Sequence, residues 1–150
     1  MRRSDRKTDE KEAFRILQNG EYGILSTVDA AGQPYGIPLN YCVIDKNIYF
    51  HCGLAGHKID NFSVNSKVSF CVVGNAFVAS KRFTTIYESV IVFGKLIEVV
   101  DYEKNKALEG LLHKYSQQYF AKGLDYIAAL TEKTRVFKVS IDKITGKSRK

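Results

Sequence analysis

The chain has 150 residues, 45% of them hydrophobic, so it can bury one core but not two, and we expect a single domain over residues 1–150. No run approaches the roughly 20 apolar residues of a membrane span and no apolar signal segment follows the charged start, so we predict a cytoplasmic protein without a membrane partner. The net charge of +7 is concentrated before residue 12 and after residue 142, without the interleaved aromatic residues that stack on bases, so we expect no nucleic-acid partner.

The first predicted element is a short amphipathic helix. Asp9 can cap it with Glu12 three positions on, and Gly20 ends it. From residue 22 the apolar period changes to two. This change predicts a strand at 22–28, a turn at 29–32, a returning strand at 34–44 and a third strand at 48–52, which together form a three-strand meander.

The second half alternates strands with helices. We predict a helix at 57–65, strands at 68–73 and 84–100, and a bulge or close backbone approach at Gly94. Asp101 is predicted to cap the strongest helix of the chain, a shorter helix follows at 124–130, and a last strand covers 135–141 before a tail. About six apolar strands without βαβ alternation favour a mainly β fold, a closed or nearly closed barrel with helices added around it.

The segment after the third strand carries the clearest chemical signal. Gly53 and Gly56 flank a turn that opens into a helix, and His57 and Lys58 lie at that helix start. Unpaired N–H groups at a helix N-terminus, glycines that let the backbone approach, and two cations would suit a phosphate group. The alternative is that the glycines only turn the chain and Lys58 is solvated.

Several blocks of the sequence, in a specific order, carry a resemblance to a known family. They are the leader at residues 1–6, the segments 23–27 and 34–41, residues 49–52 with 56–58, and the later segments 65–70, 87–95 and 144–147. With these blocks the chain resembles the FMN-binding split-barrel family related to pyridoxamine 5′-phosphate oxidase, and within it the nitroimidazole-resistance-like proteins.

The resemblance implies a six-stranded antiparallel split β-barrel of Greek-key type with peripheral helices. It further implies a homodimer with two FMN sites at the subunit interface, each drawing on both chains. Carried over by position, the FMN-binding residues are Pro38, Leu39 and Asn40 along the isoalloxazine, His51 and Cys52 at the ribityl chain, His57 and Lys58 at the phosphate, and Ser89, Val90 and Ile91 from the second chain.

The implied function is a flavin-dependent oxidoreductase acting on a small molecule. Pyridoxamine phosphate oxidases hold their substrate with a late Arg-x-His pair, whereas here Arg135 is followed by Val136 and Phe137, which argues against that particular oxidase activity. The nitroimidazole-resistance resemblance implies instead that reduced flavin, recharged by a nicotinamide donor, passes electrons to a nitro group and yields an amine. A non-catalytic protein that senses or stores FMN, or that holds haem, is the alternative.

The histidines and cysteines also allow three other interpretations: a metal site, a cysteine nucleophile and disulfide bonds. His51, Cys52, His57 and Asp60 could bind a metal ion, but their spacing matches no familiar motif, and strand alternation sends His51 and Cys52 to opposite faces, so we predict no metal site. Cys52 beside a histidine could be a nucleophile, although a half-buried structural cysteine is commoner. The three cysteines lack CxxC spacing, so we expect reduced thiols rather than disulfides.

Overall fold

The computed structural model describes residues 3–149, which form four α-helices and seven β-strands joined by turns and short 3-10 segments. Met1, Arg2 and Lys150, which belong to the basic ends of the sequence, lie outside the described residues. The helices are α1 (Glu10–Asn19), α2 (His57–Val64), α3 (Asp101–Tyr115) and α4 (Phe120–Leu130), and the strands are β1 (Gly23–Val28), β2 (Pro34–Leu39), β3 (Cys42–Ile44), β4 (Asn47–Cys52), β5 (Lys67–Ala79), β6 (Thr84–Val99) and β7 (Arg135–Arg149).

All seven strands belong to one antiparallel sheet in the order β2-β1-β5-β6-β7-β4-β3. The pairs β1 with β5 and β4 with β7 join strands that are distant in the chain, as in Greek-key folds. The two outermost strands, β2 and β3, are consecutive in the chain and separated only by Asn40 and Tyr41. The sheet is therefore a split barrel, which confirms the predicted fold class.

The prediction of one continuous strand over residues 34–44, and with it the three-strand meander, is wrong. Tyr41 is fully buried, its hydroxyl donates to the Leu17 carbonyl at 2.5 Å, and its N–H donates to the Tyr115 hydroxyl at 3.0 Å. These contacts take the place of strand pairing at this point, so β2 pairs with β1 while β3 leaves to pair with β4. We call this break between β2 and β3 the seam, and it raises the strand number from the predicted six to seven.

The local signals at α1 are confirmed. Asp9 accepts a hydrogen bond from the Glu12 N–H at 2.7 Å, and the Gly20 N–H bonds the Ile16 carbonyl at the other end. Ala13, Ile16 and Leu17 are buried against the sheet. The helix thereby covers the barrel interior beside β5, β6 and β7.

The predicted irregularity at Gly94 is also confirmed. The register of β6 against β7 shifts between Phe93 and Gly94, and a Cβ on Gly94 would lie 2.9 Å from Val139 Cγ1 and closer still to the Ser140 carbonyl. Only glycine leaves room for the neighbouring strand at this bulge.

Two predictions at the C-terminal half need correction. Asp101 is the first residue of α3 and the residue at the cap position is Val100, without a side-chain cap. The segment described as a tail belongs to β7, since residues 143–149 pair with residues 87–93 of β6. The polar composition of this segment hid its strand character, because its pairing with β6 is a contact between distant residues.

The two faces of the sheet pack against different partners. The barrel interior holds one hydrophobic cluster that includes Phe50, Phe70 and Phe137. A second cluster lies between the outer wall and α3, and it includes Tyr49, Val136 and Leu111. No helix in the described part of the chain is long and apolar enough to cross a membrane.

Candidate functional site

His51 and Cys52 lie on opposite faces of β4, as alternation predicts. Cys52 is 8% exposed and belongs to the interior cluster, whereas the His51 side chain is exposed on the outer wall. Partial desolvation lowers the pKa of the His51 imidazole, which favours its neutral form. The two side chains therefore belong to different surroundings and can serve different groups.

We call the end of the barrel where β4 meets the start of β7 the barrel mouth, formed by Cys52, Lys58 and Arg135. Arg135 lies opposite Cys52 and makes a bidentate ion pair with Glu98 at 2.7 and 2.6 Å. Burial raises the pKa of the Cys52 thiol, and the charges of Lys58 and Arg135 offset part of that rise. Lys58 makes no ion pair with any residue in 3–149, so the mouth holds one cation without a carboxylate partner.

The start of α2 has the features predicted for a phosphate site. Gly56 precedes the helix with φ of 131°, a conformation that favours glycine. The N–H groups of Ile59 and Asp60 already bond the Gly56 carbonyl at 2.7 and 3.2 Å, whereas those of His57 and Lys58 precede the first helical bonds. An anion at this point would meet free N–H groups and the unpaired cation Lys58.

Two contacts fix α2 against the β1–β2 hairpin. The His57 ring stacks on Tyr35 with centroids 4.4 Å apart and an interplanar angle of 6°. One turn on, the buried Asn61 amide donates to Thr27 Oγ1 at 3.0 Å, and Thr27 donates to the Tyr35 carbonyl at 3.2 Å. The helix start is therefore held in place by a stacking contact and a buried hydrogen-bond chain.

Pro38, Leu39 and Asn40 lie together at the end of β2. They line a shallow recess of about 410 Å³ with Glu21 and Tyr22, directly at the seam. Since β2 is an outermost strand, no strand in residues 3–149 pairs with its second edge. Main-chain groups along that edge are available to a ligand.

Asn40 also lines a second, mainly apolar cleft of about 240 Å³. This cleft lies between the outer wall and the helices α3 and α4, and His51 faces it. We call it the helical cleft. Of the predicted site residues, the structure thus brings Asn40 together with His51, and Cys52 together with Lys58.

The three predicted residues of β6 lie apart from these groups. Val90 is fully buried in the core, Ser89 is half-buried and Ile91 is 42% exposed on the outer face. In the sheet, β7 separates β6 from β4, and β5 and β1 separate it from β2. Within one chain these residues share no pocket with Asn40 or Lys58.

The metal and nucleophile interpretations gain no support. Among residues 3–149 no three or more His, Cys, Asp or Glu side chains are grouped so that they could hold a metal ion. The raised pKa keeps Cys52 protonated at neutral pH, which disfavours a thiolate nucleophile. All three cysteines are free thiols.

Sequence reasoning missed several residues of these sites. Arg135 shares a strand face with Phe137 and Val139, and a charge among apolar alternating positions was a usable signal for a site at a barrel end. The contribution of α4, with Tyr126 and Ile127 in the helical cleft, had no signal, because only the packing of α4 beside α3 creates that wall.

Comparison with known proteins places these features in a family. The family model for pyridoxamine 5′-phosphate oxidase matches residues 9–148, nearly the whole chain. The chain therefore belongs to the pyridoxamine 5′-phosphate oxidase family. No curated protein matches it at a significant level.

Solved structures share the fold. A candidate 5-nitroimidazole antibiotic resistance protein from Bacteroides thetaiotaomicron is 25% identical, with 93% of this chain and 83% of that chain covered and a TM-score of 0.80. An FAD-binding protein from Mesorhizobium loti is 24% identical, with 97% and 98% covered and a TM-score of 0.70. An FAD and haem binding protein from Mycobacterium smegmatis is 15% identical, with 97% and 74% covered and a TM-score of 0.79.

Proposed function

We propose that this protein is an FMN-binding flavoprotein that reduces a small molecule. The observation that carries the proposal is the start of α2, where free N–H groups, a glycine at positive φ and the unpaired Lys58 coincide in a member of a flavin-associated family. The ribityl phosphate of FMN is an anion near neutral pH, so it needs such a combination of donors and charge.

The remaining residues fit the rest of the cofactor. The free edge of β2 at Pro38, Leu39 and Asn40 offers peptide groups to the polar rim of an isoalloxazine. When bound, the flavin supplies the redox chemistry, and the residues of this chain orient it and select its partners. A reduced nicotinamide is the proposed electron donor, and the free thiols agree with the reducing cytoplasm in which such donors act.

We further propose that the protein acts as a homodimer. The outer face of β6 exposes Ile91, Phe93 and Ile97 at 42%, 50% and 45%, and the β5–β6 hairpin exposes Phe77 at 65% and Phe83 at 98%. A second copy would cover this apolar surface, and a contiguous exposed apolar patch is typical of an interaction site. In such a dimer Ser89 and Ile91 could reach the flavin bound to the other chain, whereas the buried Val90 could contribute only its main chain.

The substrate within this proposal is a nitroaromatic compound. Its support is the similarity to the candidate nitroimidazole resistance protein, at 25% identity over most of both chains. The missing Arg-x-His pair argues against pyridoxamine phosphate as the substrate.

FAD or haem is the second candidate for the cofactor, since relatives with this fold bind them. The helical cleft has an accessible histidine, His51, but its volume of about 240 Å³ lies below the range of roughly 300–1,000 Å³ that drug-sized ligands need, so it does not fit a porphyrin. The free edge of β2 would serve the isoalloxazine of FAD as well as that of FMN.

The test is flavin binding by the wild type and by Lys58→Ala. The purified protein should show the absorption bands of oxidised flavin, which bleach on addition of a nicotinamide donor. Lys58→Ala should weaken FMN roughly ten- to a hundredfold and leave riboflavin, which lacks the phosphate, unchanged.

Lys122→Ala is the matched control, because Lys122 is exposed on α4 and lies outside the described pockets. Equal FMN affinity of Lys58→Ala and wild type would remove Lys58 from the site. Tighter binding of FAD than of FMN would identify FAD, rather than FMN, as the cofactor. A sharp Soret band in place of flavin bands would refute the flavin proposal.

A further inference from the structure

The helical cleft combines an apolar wall with a few unbonded polar groups. Seven of its residues are aliphatic or aromatic side chains of the two helices: Leu108, Leu111, Leu112 and Tyr115 of α3 with Tyr126, Ile127 and Leu130 of α4. A largely apolar pocket with few polar groups is the usual form of a small-molecule site, and the volume of about 240 Å³ limits the ligand to one smaller than a drug-sized molecule.

Within residues 3–149, no formally charged side chain lines the cleft. The neighbouring Lys104 donates to the Thr131 carbonyl at 2.8 Å and does not line it. Desolvation lowers the pKa of His51, which favours the neutral form of this imidazole. A carboxylate or phosphate would lose its hydration here without gaining a counter-charge, which disfavours charged ligands.

The polar groups that remain could orient an uncharged ligand. Tyr115 and Thr134 already use their hydroxyls in bonds to carbonyls, whereas the side chains of Asn40 and His51 make no hydrogen bond within residues 3–149. The lining also includes the hydroxyl-bearing side chains of Ser116, Tyr126 and Thr131 on the helical side. A neutral imidazole and an amide can each both donate and accept hydrogen bonds. They lie on the barrel side of the cleft, opposite the apolar helices.

Asn40 connects this cleft to the recess at the end of β2, since it lines both. We propose that the helical cleft binds an uncharged, mainly apolar small molecule with one hydrogen-bonding group, which Asn40 and His51 hold, and that this molecule is the substrate of the flavin site. That this molecule is the substrate of the flavin site rests on the proposed function. That the cleft binds an uncharged molecule rests on the residues of this chain alone.

The test compares benzamide with benzoate, which have nearly the same shape and differ in charge. Each is titrated into ¹⁵N-labelled protein as purified, with its bound flavin, and the amide shifts are followed by NMR. Benzamide should give saturable shifts in α3, α4 and β4 near His51, with an affinity roughly tenfold or more above that of benzoate.

Thr131→Lys places a cation at the cleft, and it should reduce or reverse this preference by roughly tenfold. Gln118→Lys adds the same charge at an exposed position outside the cleft and should leave the preference unchanged. Benzoate binding as tightly as benzamide to the wild type, shifts located elsewhere, or no saturable shift would each overturn the inference.

The absorption spectrum of the flavin distinguishes a failure of this inference from a failure of the proposed function. If benzamide binds in the cleft and leaves the flavin spectrum unchanged, the cleft is not the substrate site of the flavin. If the purified protein holds no flavin, the proposed function fails, and the same titration still decides whether the cleft selects uncharged ligands.

Discussion

The hydroxyl of Tyr115 holds the seam together, and its removal should destabilise the barrel. It donates to the carbonyls of Glu21 at 2.6 Å and Tyr41 at 3.0 Å, and it accepts from the Tyr41 N–H at 3.0 Å. One proton serves one carbonyl at a time, so Tyr115→Phe removes about two net hydrogen bonds, worth about 1–3 kcal/mol together. It also leaves the N–H of a fully buried residue without a partner, and we therefore expect a total loss of about 2–4 kcal/mol.

Urea unfolding followed by circular dichroism at a fixed protein concentration measures this loss. With a slope of about 2 kcal/mol per molar urea, the midpoint should fall by about 1–2 M. Tyr119→Phe is the matched control, because Tyr119 is 62% exposed and its hydroxyl makes no hydrogen bond within residues 3–149. If Tyr115→Phe and Tyr119→Phe both remain within about 0.5 kcal/mol of wild type, the role given to this hydroxyl is wrong.

Three further predictions concern other parts of the fold. Burial lowers the pKa of Lys114 from 10.5 to about 8, so its charge costs stability below pH 8 and that cost disappears as the pH rises to 10.5. In urea unfolding, Lys114→Met should therefore be more stable than wild type at pH 7, and its free energy of unfolding should not rise between pH 8 and 10.5 as that of wild type does. The same rise in the variant would show that another group causes it. Gly94→Ala should lose about 1–3 kcal/mol in the same assay, because its methyl group would overlap the β7 backbone, and a neutral effect would mean that the bulge relaxes freely. The double variant Ile91→Asp and Phe93→Asp should sediment as a monomer and lose flavin, whereas the exposed Val100→Asp should remain dimeric; a double variant that stays dimeric would locate the interface elsewhere.

Local chemistry explains which elements could be predicted from the sequence. Asp9, Glu12 and Gly20 set the two ends of α1 through hydrogen bonds within the helix and its caps. The residues next to each end are therefore enough to predict where the helix begins and stops. Gly94 inside an apolar strand indicated a bulge for the same reason. The family resemblance added the split barrel, which propensity alone could not provide.

Contacts between distant residues decide the features that could not be predicted. The alternating pattern continues through residues 34–44, and only the bonds of Tyr41 to Leu17 and Tyr115 end β2 at Leu39. Lys58 was predicted as a phosphate ligand from its local sequence, but its position beside Cys52 and Arg135 depends on the pairing of β4 with β7. The helical cleft likewise exists only after α3 and α4 pack on the outer wall.

The seam also has a consequence for the motions of the protein. The two strands that flank it, β2 and β3, are each paired on one edge only, so widening the barrel here breaks the side-chain bonds of Tyr41 and Tyr115 but no backbone ladder. Every other opening of the sheet would rupture a row of inter-strand hydrogen bonds and proceed far more slowly. Amide protons on the free edges of β2 and β3 should therefore exchange with solvent before those of β5, β6 and the paired parts of β7.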